Sequence, residues 1–149
     1  MTESPVPDPL ASLDVLVGEW TMTASLSPDA NAPRAGTSFE WLPGRRFLIQ
    51  RWQVDHPQAR DGIAIIGLAA DGSGLEQHYF DSRGVARVYR MTFADRLWTL
   101  ERVAEAPDFC QRFTGTVADD GSSIAGAWES SADGSNWADD FTLTYSRKS

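Results

Sequence analysis

Cysteine is almost absent: Cys110 stands alone among 149 residues, so no internal disulfide can form. With only two histidines, His56 and His78, no Cys/His cluster has zinc-site spacing, and no metal is expected. A reducing, cytoplasmic setting fits this usage. Long apolar runs are also missing. The longest, Ile63 to Ala70 with Gly67 inside it, covers eight residues, far below the roughly 20 that a membrane-spanning helix needs. Met1 to Pro9 holds three prolines together with Glu3 and Asp8, and has neither a basic stretch nor an apolar core, so it does not read as a secretion signal. Positive charge is in deficit, 13 residues against 21 acidic ones for a net of −8, which argues against nucleic acid and against an anionic membrane surface as partners. Lysine is nearly absent too, since 12 of those 13 are Arg and only Lys148 is not, a bias that the codon usage of a GC-rich genome would produce. Helical periodicity is lacking beyond Gly18. That excludes the helical crossovers a parallel sheet requires.

What is present is apolar and aromatic. Hydrophobic residues make up 42% of the chain, and 6 Trp, 7 Phe and 3 Tyr supply enough area for a large core or a lined cavity. Residues 1–8 read as a flexible tail and 9–149 as a single domain. Asp8 and Pro9 offer an N-cap and a first-turn proline, and Leu10, Leu13, Leu16 and Val17 recur at helical spacing, so one short helix is expected to end at Gly18.

From Glu19 the period changes to two. Trp20, Met22, Ala24 and Leu26 alternate with small polar residues, which predicts a half-buried strand. Pro28 to Gly36 has no period and reads as a loop. Strands are then expected at Thr37–Leu42 and Arg46–Asp55, and near 63–70, 75–81, 85–93, 97–104, 109–118, 123–129 and 137–146. Four Asp-Gly pairs (Asp61-Gly62, Asp71-Gly72, Asp120-Gly121 and Asp133-Gly134) mark hairpin turns between them, as do Ser82-Arg83-Gly84 and Ala94-Asp95-Arg96. The fold class is therefore all-β: a ten-stranded antiparallel up-and-down barrel, closed so that no edge strand stays exposed.

Two sets of residues resemble known barrels. Gly18-Glu19-Trp20 after the helix and Arg147 at the end of the last strand resemble the calycin superfamily of lipocalins and fatty-acid-binding proteins, where a late Arg packs on a Gly-x-Trp indole at the barrel floor. Tyr79-Phe80-Asp81-Ser82-Arg83-Gly84-Val85-Ala86-Arg87-Val88-Tyr89 and Phe109-Cys110-Gln111-Arg112-Phe113-Thr114-Gly115-Thr116 look like an uncharacterised bacterial family assigned that barrel. The resemblance spans nearly all of 10–147 and implies the fold without an activity.

Strand parity gives an expected inward set: Trp20, Met22, Phe39, Trp41, Val85, Arg87, Tyr89, Met91, Phe93, Phe109, Gln111, Phe113, Ile124, Trp128, Trp137, Asp139, Phe141, Leu143 and Tyr145. Arg87, Gln111 and Asp139 are polar on an apolar face and must find partners among themselves, water or a ligand. Arg87 with Tyr89 resembles the Arg-x-Tyr pair with which fatty-acid-binding proteins hold a carboxylate. An Arg87–Asp139 ion pair inside a filled lumen is the alternative. The candidate ligand-binding residues are thus Arg87, Tyr89, Gln111, Trp41, Phe113, Trp128 and Asp139, for a small apolar or acidic ligand. An enzyme with Asp139 or Glu101 as base and His78 or Tyr89 as acid is a second reading, and a filled barrel acting through its surface as a homodimer is a third. No cofactor is expected. Haem through His78 enters only by likeness to nitrobindin-type barrels, which carry their ligand histidine late in the chain, whereas no histidine follows His78. Cys110 falls on the outward parity with Arg112 and Thr114 and reads as an inert thiol.

Overall fold

The computed structural model describes residues 10–25, 34–54, 61–104 and 108–148. A short 3-10 helix, Ala11–Leu16, is followed by ten strands. They are β1 (Gly18–Ser25), β2 (Arg34–Trp41), β3 (Phe47–Val54), β4 (Gly62–Leu68), β5 (Leu75–Asp81), β6 (Ala86–Ala94), β7 (Leu97–Arg102), β8 (Cys110–Val117), β9 (Ser123–Ser131) and β10 (Ala138–Arg147). Each pairs antiparallel with its neighbours in sequence, and β10 returns to β1 with Trp20 opposite Arg147, so the sheet closes into a barrel. Among the described residues no helix is long and apolar enough to cross a membrane.

Two boundaries depart from the sequence reading for physical reasons. The helix stops at Leu16 rather than Gly18, because the carbonyls that would continue it are taken by the barrel. Leu16 O accepts the Trp20 indole N–H at 2.8 Å, and Val17 O accepts Arg147 Nη1 at 2.8 Å. Val17 is already extended, and Gly18 opens β1. The expected Asp8 cap lies outside the described residues. β2 starts at Arg34, inside the expected loop, since Ala35 and Gly36 pair with Val54 and Gln53; positions 26–33 of that loop lie outside the described residues.

Three of the four Asp-Gly pairs do make turns, with Gly72, Gly121 and Gly134 at positive φ. Asp61-Gly62 instead leads into β4, where Gly62 passes under the Trp52 indole. The β6–β7 turn needs no glycine. Asp95 and Arg96 both sit at positive φ, the type I′ geometry that matches strand twist.

One end of the barrel is plugged. Leu13, Leu16 and Trp20 are fully buried there, and the Trp20 ring meets Tyr145 edge-on with centroids 6.4 Å apart. The Arg147 guanidinium lies 4.1 Å from the Trp20 ring centroid, and it also donates to Val15 O and to Gly121 O. The expected seam between Gly-x-Trp and the late arginine is thus the floor of the barrel.

Trp41 belongs to this closed end and not to the lumen expected for it. Its parity is inward, but it stands at the bottom of β2, where Nε1 donates to Asp14 Oδ1 at 2.8 Å and Arg45 covers the ring at 5.0 Å. The helix has taken the space a ligand would need.

Candidate ligand-binding site

Above the floor the barrel encloses a cavity of about 470 Å³ that opens at the end opposite the helix. Arg87, Tyr89, Gln111, Phe113 and Trp128, five of the seven residues expected from sequence, line it. β6 and β8 deliver the first four by regular alternation, and β9 brings Trp128 opposite Phe113.

At the rim, polar groups converge on one atom. Gln111 Oε1 accepts the Tyr89 hydroxyl at 2.9 Å, Arg102 Nε at 3.3 Å and Arg87 Nη1 at 3.4 Å. The Arg87 and Arg102 guanidiniums flank the Phe109 ring at 5.5 and 5.3 Å. Phe109 is therefore not luminal as expected: it precedes β8 and stays 36% exposed between the two arginines. Burial pushes the Tyr89 hydroxyl pKa up, with the two arginines acting in the opposite sense.

The three rim arginines differ in what neutralises them. Arg102 is paired with Asp108, whose carboxyl the guanidinium's hydrogen bonds hold down at about 2. Arg83 is paired with Asp81. Arg87 has no carboxylate within salt-bridge distance among the described residues; its charge helps to lower the pKa of Asp108, which Arg102 already holds.

The alternative Arg87–Asp139 pair does not form, and the cause is a bulge. Asp139 pairs with Glu129 and Phe141 with Trp128, so one extra residue, Asp140, interrupts the β10 ladder. Below the bulge Phe141, Leu143 and Tyr145 keep the expected inward parity. Above it the parity inverts, which puts Asp139 outside and Asp140 on the cavity rim. Trp137 goes outward as well, stacking on the Arg112 guanidinium at 4.1 Å, where Arg112 also holds Glu129 at 2.8 Å.

Of the other acid–base candidates, Tyr89 lines the cavity while His78 and Glu101 are outside. His78 is on the outer face of β5, its side chain 46% exposed and 3.8 Å from Glu76, and Glu101 is exposed on β7. A haem ligand at His78 would have to approach from outside the barrel. Cys110 keeps its outward parity yet is buried, because Ala104 and Gly134 cover it.

Sequence reasoning missed several lining residues with a readable signal. Trp98 and Leu100 on β7, Gln50 and Trp52 on β3, and Gln77 and Tyr79 on β5 share a parity and line the cavity; Arg102, of the same parity as Trp98, does not line it but reaches Gln111 at the rim. Trp52 stacks on Tyr79 at 5.5 Å, forming one wall of the mouth. Tyr79 donates to Asp81 Oδ2 at 2.6 Å, and Arg83 binds the same carboxylate through Nη2 at 2.6 Å.

The Asp81 side chain is fully buried. Arg83, then Tyr79, hold its pKa far below the ordinary carboxylate value of 3.8, while desolvation opposes them. Burial, then the Asp81 carboxylate, push Tyr79 up to about 12. A carboxyl whose folded pKa is depressed contributes stability that is fully present above the unfolded value and is lost as pH falls below it. Asp81→Asn should therefore cost about 2 kcal/mol at pH 7, and the gap from the unmodified protein should narrow below about pH 4. Urea unfolding at both pH values checks this; a gap independent of pH would contradict it.

Fold and site together define a class: a closed ten-stranded antiparallel β-barrel with a plugged floor and an aromatic, arginine-rimmed lumen. Rv2717c from M. tuberculosis, known from a crystal structure, is similar to it with a TM-score of 0.62 over 98% of this chain and 100% of that one, at 15% identity. That likeness is one of fold. Comparisons with protein families and with curated proteins return no match.

Proposed function

We propose that the barrel is a binding protein whose lumen takes a small amphipathic molecule with an acidic head. The observation that carries this reading is Arg87, a half-buried residue on the cavity wall whose guanidinium has no carboxylate within salt-bridge distance among the described residues. A guanidinium cannot shed its charge by deprotonation, so a counter-ion from the ligand is the economical partner. Tyr89 and Gln111 orient the head beside Arg87, with Arg102 behind them, and Phe113, Trp128 and Phe141 cover the remainder. The Trp20–Arg147 floor supports a relationship to calycins, and the lone buried Cys110 fits a reducing cytoplasm.

Arg87→Met keeps much of the side-chain volume and removes the charge. It should abolish the preference for an acidic over a neutral probe of the same shape, roughly a tenfold effect for a charged hydrogen-bonded contact, with an unchanged thermal midpoint. Displacement of a hydrophobic fluorophore measures it, and unchanged selectivity would refute the proposal.

A further inference from the structure

The cavity wall holds two buried polar atoms that have no partner among the described residues. Gln77 Oε1 and Trp98 Nε1 are buried without a hydrogen-bond partner, and both residues line the cavity while being 5% and 1% exposed. One is an acceptor and the other a donor. Gln50, which also lines the cavity, is satisfied: its Nε2 donates to Thr37 Oγ1 at 3.2 Å and to Tyr145 OH at 3.5 Å. Among the described residues, Gln77 Oε1 and Trp98 Nε1 are the buried side-chain polar atoms without a partner. An apolar chain beside them would leave both atoms unpaired, which disfavours it.

The aromatic walls of the cavity are flat. Trp52 with Tyr79 and Trp128 with Phe141 are stacked pairs, at 5.5 and 6.3 Å, and all four line the cavity. Such faces suit a planar ring better than a flexible chain. Gln77 stands opposite Tyr89 in the β5–β6 register, and Trp98 stands four residues along β7 from Arg102, about 13 Å of strand at roughly 3.3 Å per residue.

Resting on the reading of the lumen as a site for an acidic ligand, we infer that this ligand is a planar heteroaromatic acid. Its anionic group meets Arg87, a ring N–H donates to Gln77 Oε1, and a ring carbonyl or aza nitrogen accepts the Trp98 indole N–H. Binding is reversible and no bond is made or broken.

Titration calorimetry of the full chain at pH 7 with three probes tests this. Kynurenate has two fused rings, a carboxylate, one ring N–H and one ring carbonyl. β-Naphthoate has the same rings and charge without those ring groups, and β-naphthylmethanol lacks the charge as well. Kynurenate should bind about tenfold or more tightly than β-naphthoate. Gln77→Met and Trp98→Phe should each bring that ratio toward one. Equal binding of the two acids overturns the inference, as does a ratio that survives in both variants. Should either variant fail to fold, the ratio in the unmodified protein decides alone. Equal acids that both outbind the alcohol would leave the rim reading standing and this one fallen. Indifference between β-naphthoate and the alcohol would remove both.

Discussion

Trp20→Ala is expected to lower the unfolding free energy by about 3–5 kcal/mol, the usual cost of deleting a fully buried large aromatic. The upper part of that range applies, because more than hydrophobic area is lost. The indole N–H satisfies Leu16 O, and its face carries the Arg147 guanidinium, a contact worth about 0.5–2 kcal/mol. Leu13 and Leu16, fully buried beside it, cannot collapse into the hole because the barrel wall holds the helix at a fixed height. Equilibrium denaturation measures the loss, and a change under about 1 kcal/mol would show that the floor is not held by this residue.

The second large effect is a coupled one. Phe113 is 1% exposed and packs its ring against Trp98 and Trp128 at 5.0 and 5.2 Å. It reaches them by lying across two backbones that carry no side chain. A methyl group at Gly126 would stand 2.4 Å from Phe113 Cε2 and 3.0 Å from the Leu143 carbonyl oxygen. Phe113→Ala should cost about 3–5 kcal/mol and Gly126→Ala about 2 kcal/mol through overpacking. In the double variant the methyl has room where the ring was, so the combined loss should fall short of the sum by about 1 kcal/mol or more. A double-mutant cycle by chemical denaturation reads this directly, and additive losses would mean the ring moves aside freely.

The fold was legible because its signals are local and regular. Alternation in Trp20–Met22, Arg87–Met91 and Gln111–Phe113 needs only the two-residue period of a strand, and the absence of later helices leaves no other sheet type. Parity says which way a side chain points in an uninterrupted ladder, and there it placed Tyr89, Gln111, Phe113 and Trp128 correctly. It could not say how far along the barrel axis a residue stands, which is why Trp41 ended under the helix. It also could not foresee the Asp140 bulge, since an extra residue in a ladder has no marker in Ala138-Asp139-Asp140-Phe141. Above that point the assignments of Trp137 and Asp139 inverted, and with them went the counter-ion that the alternative reading gave Arg87. The unpaired atoms of Gln77 and Trp98 are further still from sequence: a missing partner is a property of three-dimensional packing and has no pattern along the chain.

The closing contact between β1 and β10 shapes how the protein reaches this state. Every other strand pair joins neighbours in the chain, and these can zip as hairpins one after another. Closure instead brings Arg147 to Val17 across 130 residues, so its loop entropy must be met before the floor contacts return anything. The seam is therefore expected to form after the main folding barrier. Changes to it should chiefly speed unfolding and leave the folding rate nearly untouched, making the Arg147 lock a determinant of how long the barrel stays shut more than of how fast it assembles.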